Sequence, residues 1–303
     1  LYYQRVLLMV CIFAGVIWWN YTAVHSLYDD ESDVYYKEYV DQVSGSYTKV
    51  SAKKIKQWRE ERLALERQIH KEKRKAATDE LKSIVESGYA RERKRTEGFQ
   101  VLMNHISYIS GISNGGLFYE RGYAQLTGYE MAWKRDAVLA LEGVLMVILT
   151  VAGIYSREYE TGMMRLLRTT PGGRQELWSA KLWIGMGIVT VIYGIIYGSE
   201  FYRILSAFGT KGWNCSVASM THIPMYLSGL AVVDYLALIS VMRYLGFCLV
   251  MAAVYLISSR AKSFIMTVVY SISIFALPLV LYLSGVKVFK YVLLDPLLLG
   301  NIF

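Results

Sequence analysis

Five apolar runs divide this chain of 303 residues, and they leave few folds open to it. They are Val6–Val24, Ala137–Tyr155, Leu182–Ser199, a span within Ala231–Ser258, and Phe264–Ser284. Each is close to the ~20 residues that a helix needs to cross a bilayer. Inside lipid every backbone amide must bond within its own segment or within a closed barrel. The apolar residues here come in runs rather than alternating, and four prolines suit helical spans better than β-structure. At 54% hydrophobic and 19% charged, with a mean hydropathy of +0.28, the chain is too apolar for a soluble domain. The expected fold is all-α: a polytopic helical membrane protein with a helical, coiled-hairpin extracellular domain inserted after the first span.

The first run, within residues 1–24, ends in Trp18-Trp19-Asn20-Tyr21, which reads as an interfacial anchor. No small-x-small cleavage site follows it, so it reads as a retained span rather than a signal peptide. Because the chain opens on Leu1, its natural beginning is expected to lie upstream. Residues 25–135 form the polar domain. Asp29, Asp30, Glu31 and Asp33 lack the glycine and distal glutamate of an EF-hand loop and read as a solvated acidic turn. Ser51 to Arg95 is helical in pattern, with Ile55, Trp58, Leu65, Ile69 and Ala76 on one seam and Arg62 and Glu72 filling two seam positions. Phe99–Ile112 is expected to pack back on this arm, before a turn at Ser113–Gly116. The basic runs Lys71–Lys75 and Arg91–Arg95 read either as a solvated face or as a surface for anionic headgroups or cell wall.

Residues 136–155 are the second span, 156–181 a loop, and 182–303 the remaining spans and their outer connections. Glu142 lies two turns inside the second span. An intramembrane carboxylate normally faces a bundle interior or a wet cavity, so Glu142 is either functional or paired within the bundle. Asp234 and Arg243 interrupt the fourth run. They divide it into a short interfacial or re-entrant helix, Asp234–Met242, and a true span beyond. On the third run Gly187, Gly194 and Gly198 share a face that invites close helix approach, within the chain or in a dimer. Glu200–Leu230 reads as an outer connection, and Pro278 marks a kink in the last run. The three cysteines are far apart and imply no disulfide framework. The four histidines show no metal-ligand spacing. The net charge of +8 is that of loops and flanks, so no nucleic-acid partner is implied.

Arg157, Arg165, Arg168, Arg174 and Lys181 crowd one short loop, and Arg260 and Lys262 another on the same side. By the positive-inside rule these loops are cytoplasmic and residues 25–135 extracellular. The first of these loops is more elaborate than a turn between spans requires. Glu158 and Glu160 precede Gly162. An amphipathic segment with Leu166 and Leu167 follows, then the breaker Thr169-Thr170-Pro171-Gly172-Gly173, then Arg174 and Lys181. Such a surface fits a groove on a soluble partner, the leucines anchoring and Glu158, Glu160 and Arg174 setting register.

These residues resemble the permease subunits of export-type ATP-binding-cassette (ABC) transporters, the second permease class. The resembling pattern is Glu158, Gly162, the pair Leu166-Leu167, Thr170-Pro171, Arg174 and Lys181. The resemblance implies that 157–181 holds a coupling helix docked on a cytoplasmic ATPase subunit. It implies two ATPase copies and a second permease chain, as homo- or heterodimer, in a bacterial plasma membrane. The chain has no G-x-x-x-x-G-K-[ST] loop, so ATP and Mg belong to the partner and this chain carries no cofactor or catalytic residue. The family usually has six spans, so a sixth is expected beyond Phe303. Tyr155, Tyr193, Tyr197 and the outer helices suggest export of an amphipathic substrate, such as an antimicrobial peptide, a lipid-like or a drug-like molecule. Rival readings are a mechanotransmission-type ABC permease, a membrane sensor whose outer helices bind a ligand, and an intramembrane enzyme using Glu142, Asp234 and Arg243.

Overall fold

The computed structural model of the chain describes residues 30–44, 49–75, 79–112, 114–124, 126–127, 133–162, 173–223, 229–261 and 263–286, with Gly15, Leu227 and Val288. The first apolar run (apart from Gly15), Ala76 and the tail beyond Val288 lie outside the described residues. Those described are helices and turns, and an isolated β-bridge joins Ser216 and Ala231. The chain divides into two compact units. The polar unit is His25–Tyr123 with Phe208–Tyr235, and the apolar unit is Leu1–Val24, Ala124–Ala207 and Leu236–Phe303.

The polar unit begins with α1 (Glu31–Val43). The Asp30 carboxylate caps it, accepting from the Glu31 amide at 2.7 Å. The acidic cluster is therefore not a uniformly solvated turn, since Asp33 is buried and paired with Arg121. Next come α2 (Lys49–Lys75), α3 (Asp79–Gly88) and α4 (Ala90–Ile109). The sequence pattern predicts one helix from 51 to 95. Instead the chain reverses between Lys75 and Asp79, and α3 with the start of α4 runs back along α2. Arg62 meets Glu92 at 2.7 Å, the Tyr89 hydroxyl donates to Glu72 at 3.0 Å, and Lys73 pairs with Glu86. A stripe this narrow cannot hold a lone helix in water and needs an adjacent partner. The predicted seam is observed. Between Lys53 and Lys71 the only positions withdrawn from solvent are Ile55, Trp58, Arg62, Leu65 and Ile69, spaced three and four apart. At the base, Tyr39 of α1 packs on Trp58 and Phe99, with ring centroids 5.0 and 5.6 Å away.

The described residues of 209–231 are more than the outer connection the sequence suggests. Val217 donates to Leu230 O at 2.8 Å and Val232 to Cys215 O at 3.0 Å, and Val217, Ala218, Ser219 and Met220 are buried. They pack with the segment around His105. His105 Nε2 lies 2.9 Å from Ser219 O, and Glu120 accepts from the Thr221 amide at 2.8 Å. Glu120 lies on the short helix α5 (Glu120–Ala124). The compact polar unit thus joins His25–Tyr123 with Phe208–Tyr235.

The apolar unit contains α6 (Trp133–Val151), α7 (Gly153–Glu160), α8 (Gly173–Phe208) and α9 (Val232–Ala261). The last two helices are α10 (Phe264–Ser271) and α11 (Leu277–Leu283), joined through a π-helical turn at Ile272–Ala276. Three described stretches are long and apolar enough to cross a membrane: Glu176–Phe208, Val232–Ala261 and Phe264–Leu283. The second predicted span, α6, is not among them, yet none of its positions from Asp136 to Thr150 is exposed. A helix apolar on all faces belongs in a core. Ala140, Val144, Val147 and Ile148 of α6 meet Ile192 and Ile196 of α8, Phe247 and Val254 of α9, and Leu279 of α11 there.

Two corrections follow. The fourth run is not a re-entrant helix plus a span but the single 30-residue α9. Asp234 is exposed in its first turn, where a carboxylate complements the free amides, and Arg243 is neutralised from outside, so neither breaks the ladder. The third span does not stop at Ser199. The 36 residues of α8 extend about 54 Å at ~1.5 Å each, well beyond a ~30 Å hydrocarbon core. Its extension holds Glu200 and Arg203 as a buried pair at 2.5 Å. At Pro278 the chain widens into the preceding π-helical turn, which accommodates the missing N–H and the ring.

Candidate functional site

The helices that precede and follow residues 163–172 are fastened together near their facing ends. The α6–α7 helix opens at Ala152, whose carbonyl is taken by the hydroxyls of Ser156 at 2.8 Å and Ser258 of α9 at 3.0 Å. One and a half turns on, Glu158 of α7 pairs with Lys181 of α8, and both are largely buried. The Tyr255 hydroxyl of α9 donates to the Lys181 carbonyl at 2.6 Å. A Cβ on Gly185 would strike Tyr255 and Met251, so α8 and α9 touch closely there. Gly162 has φ +73, the left-handed conformation that ends α7. Three helix ends are thus clasped by one ion pair and three hydroxyls.

Of the sequence-derived loop residues, the structure brings Glu158 and Lys181 together and gives Gly162 a terminating role. Glu160 lies in α7 and Arg174 in the first turn of α8, and their side chains are outside the described residues. Leu166, Leu167, Thr170 and Pro171 are outside them altogether. The partners Tyr255, Ser258 and Ala152 carry no signal in the sequence, because a tyrosine or serine in an apolar run reads as ordinary filling.

A second polar group lies inside the apolar unit. Arg243 of α9 is buried, as is Asp136 at the head of α6, and they meet at 3.2 Å. Arg243 also donates to Leu126 O at 3.3 Å, and its guanidinium lies 5.3 Å from the centre of the Tyr197 ring. Tyr193 and Tyr197 of α8 stack at 4.9 Å. The partner of Arg243 is therefore Asp136, not Glu142. Glu142 is half-buried, with one carboxylate oxygen buried and without a hydrogen-bond partner among the described residues. Asp234 belongs to the polar unit and joins neither group. Between α8 and α9 opens a cleft of about 210 Å³ lined by Leu126, Tyr193, Tyr197, Gly198, Phe201, Leu236, Ser240 and Arg243.

Among the described residues, nothing packs on the glycine stripe: a Cβ on Gly187, Gly194 or Gly198 would meet none of them within 4 Å, and all three are exposed. Close approach instead uses Gly143, against Phe247, and Gly185. Periodicity could not separate these from the stripe, since it places glycines on a face without placing a neighbour.

Described residues that are helical, with three stretches long and apolar enough to cross a membrane and a buried ion pair between α6 and α9, define a polytopic membrane protein. Within that class the chain belongs to the ABC-2 family: the sequence model described as ABC-2 family transporter protein matches residues 3–298. It is a permease subunit, the membrane component that works with an ATP-binding subunit. No curated protein and no solved structure matches the chain.

Proposed function

We propose that this permease subunit exports an amphipathic substrate, peptide or lipid-like, driven by a separate ATPase that docks on 157–181. The observation that carries the reading is the Glu158–Lys181 pair across the two flanks of that loop. A push on the loop would reach α6 through Ala152, and α9 through Tyr255 and Ser258. ATP and Mg would be held by the ATPase, present in two copies with two permease chains. The loop arginines favour a cytoplasmic position for it and an extracellular position for the polar unit, in a plasma membrane.

The test is reconstitution with the cognate ATPase. Glu158→Ala and Arg174→Ala should insert normally yet uncouple ATP turnover from transport. For Glu158→Ala, transport per ATP should drop at least 10-fold while ATPase binding persists. Wild-type coupling in both variants overturns the reading. A second reading, mechanotransmission, is favoured by the ion-paired antiparallel hairpin of α2 with α3 and α4. It predicts ATP-dependent movement of that hairpin without substrate passage.

A further inference from the structure

We propose that the cleft between α8 and α9 binds an uncharged oxygen acceptor carried on an apolar chain: the ester or amide carbonyl of an acyl or peptidic molecule. The inference deepens the export reading and rests on it for any role in transport, but occupancy of the cleft does not.

The walls specify the chain. Tyr193, Tyr197 and Phe201 recur every four residues on one face of α8, opposite Leu236, Ser240 and Arg243 of α9. Gly198 keeps the mouth open, because none of the described residues stands where its side chain would be. About 210 Å³ holds roughly seven water- or methylene-sized groups at ~30 Å³ each, so it takes part of a molecule and not a whole lipid.

The polar atoms specify the acceptor. Tyr197 is 7% exposed, and its hydroxyl is buried with no hydrogen-bond partner among the described residues. Leaving such a donor unused in an apolar bundle is costly. The neighbouring Tyr193 hydroxyl is already committed to Ser240 O at 2.8 Å. Arg243 does not turn the cleft into an anion site, since Asp136 already faces it at 3.2 Å and an incoming anion would meet that carboxylate. A neutral carbonyl accepting from Tyr197, with its chain along the aromatic wall, fits both facts.

The experiment uses the full chain in nanodiscs without ATPase or nucleotide. Two probes are compared: phosphatidylglycerol with a diazirine in its acyl chain, and an apolar dipeptide amide with a diazirine side chain. Mass spectrometry should find saturable labelling at Tyr197, Phe201 or Leu236, displaced by unlabelled competitor. Labelling by only one probe identifies the source as lipid or peptide. Tyr197→Phe keeps the ring and removes the donor. It should weaken binding about 10-fold while leaving thermal stability unchanged or raised, and Gly198→Leu should abolish labelling. Labelling confined to exposed positions such as Trp183 and Ile184 overturns the proposal, as does unchanged affinity in Tyr197→Phe. Because no ATPase is present, labelling survives a failure of the coupling reading. Coupled transport with an unlabelled cleft would defeat this site alone.

Discussion

Arg62 in the polar unit and Arg243 in the apolar unit each meet one carboxylate, at 2.7 and 3.2 Å, with opposite energetic consequences. Arg62 lies on a hairpin seam, with its Glu92 partner 35% exposed, and water supports both charges if the pair parts. Arg243 and Asp136 are each about 95% buried, so each depends on the other for its charge. The same contrast holds at the scale of the units. Residues 49–95 carry 16 of the 33 Lys and Arg but only 8 of the 25 Asp and Glu. That hairpin therefore accounts for the whole net charge of +8, and the rest of the chain is balanced. Charge is a surface property in one region and a packing constraint in the other.

The sharpest way to break this comparison is to remove each arginine. Arg243→Met should cost about 3–5 kcal/mol by stranding Asp136, read as a lowered thermal midpoint in detergent. Adding Asp136→Leu should recover most of the loss. Arg62→Ala should cost under about 1 kcal/mol. Equal losses in the two single variants would refute the distinction. A smaller effect separates the glycines. Gly143→Leu should cost about 1–3 kcal/mol by driving into Phe247, whereas Gly187→Leu should leave the isolated chain's stability unchanged. A loss at Gly187 only in the assembled transporter would place a second chain on that face.

The smallest effect is pH-dependent and confined to the polar unit. Burial holds the His222 imidazole down at about 4, below its ordinary 6.5. Protonation therefore favours the unfolded segment. The contribution of His222 is complete above pH 6.5 and is lost as pH falls toward 4. Hydrogen exchange over 217–223 should quicken across that window, and His222→Gln should flatten the response.

Much of the fold was legible, and each miss has a physical cause. The seam at Ile55, Trp58, Leu65 and Ile69 was readable because a 3–4 repeat encodes which face is buried. Where the hairpin reverses was not, because the seam continues in phase past Lys75 with no glycine or proline to stop it. Arg243 and Asp234 looked like a break in the fourth run because charge inside an apolar stretch demands compensation. That compensation comes to Arg243 from 107 positions earlier. At the loop, Glu158 and Lys181 could be singled out one by one, but the hydroxyls that clasp them could not.

The linear chain determined on its own that it spans a membrane as helices, since runs of some twenty apolar residues have no other way to satisfy their amides in lipid. It also determined which side of the polar helices faces inward, through their heptad spacing. Only the tertiary structure decided which carboxylate neutralises Arg243, which glycines admit a neighbour and which tyrosine hydroxyl is left over in the cleft. Those outcomes depend on side chains brought together from distant segments, and periodicity assigns a residue to a face without naming what will lie against it.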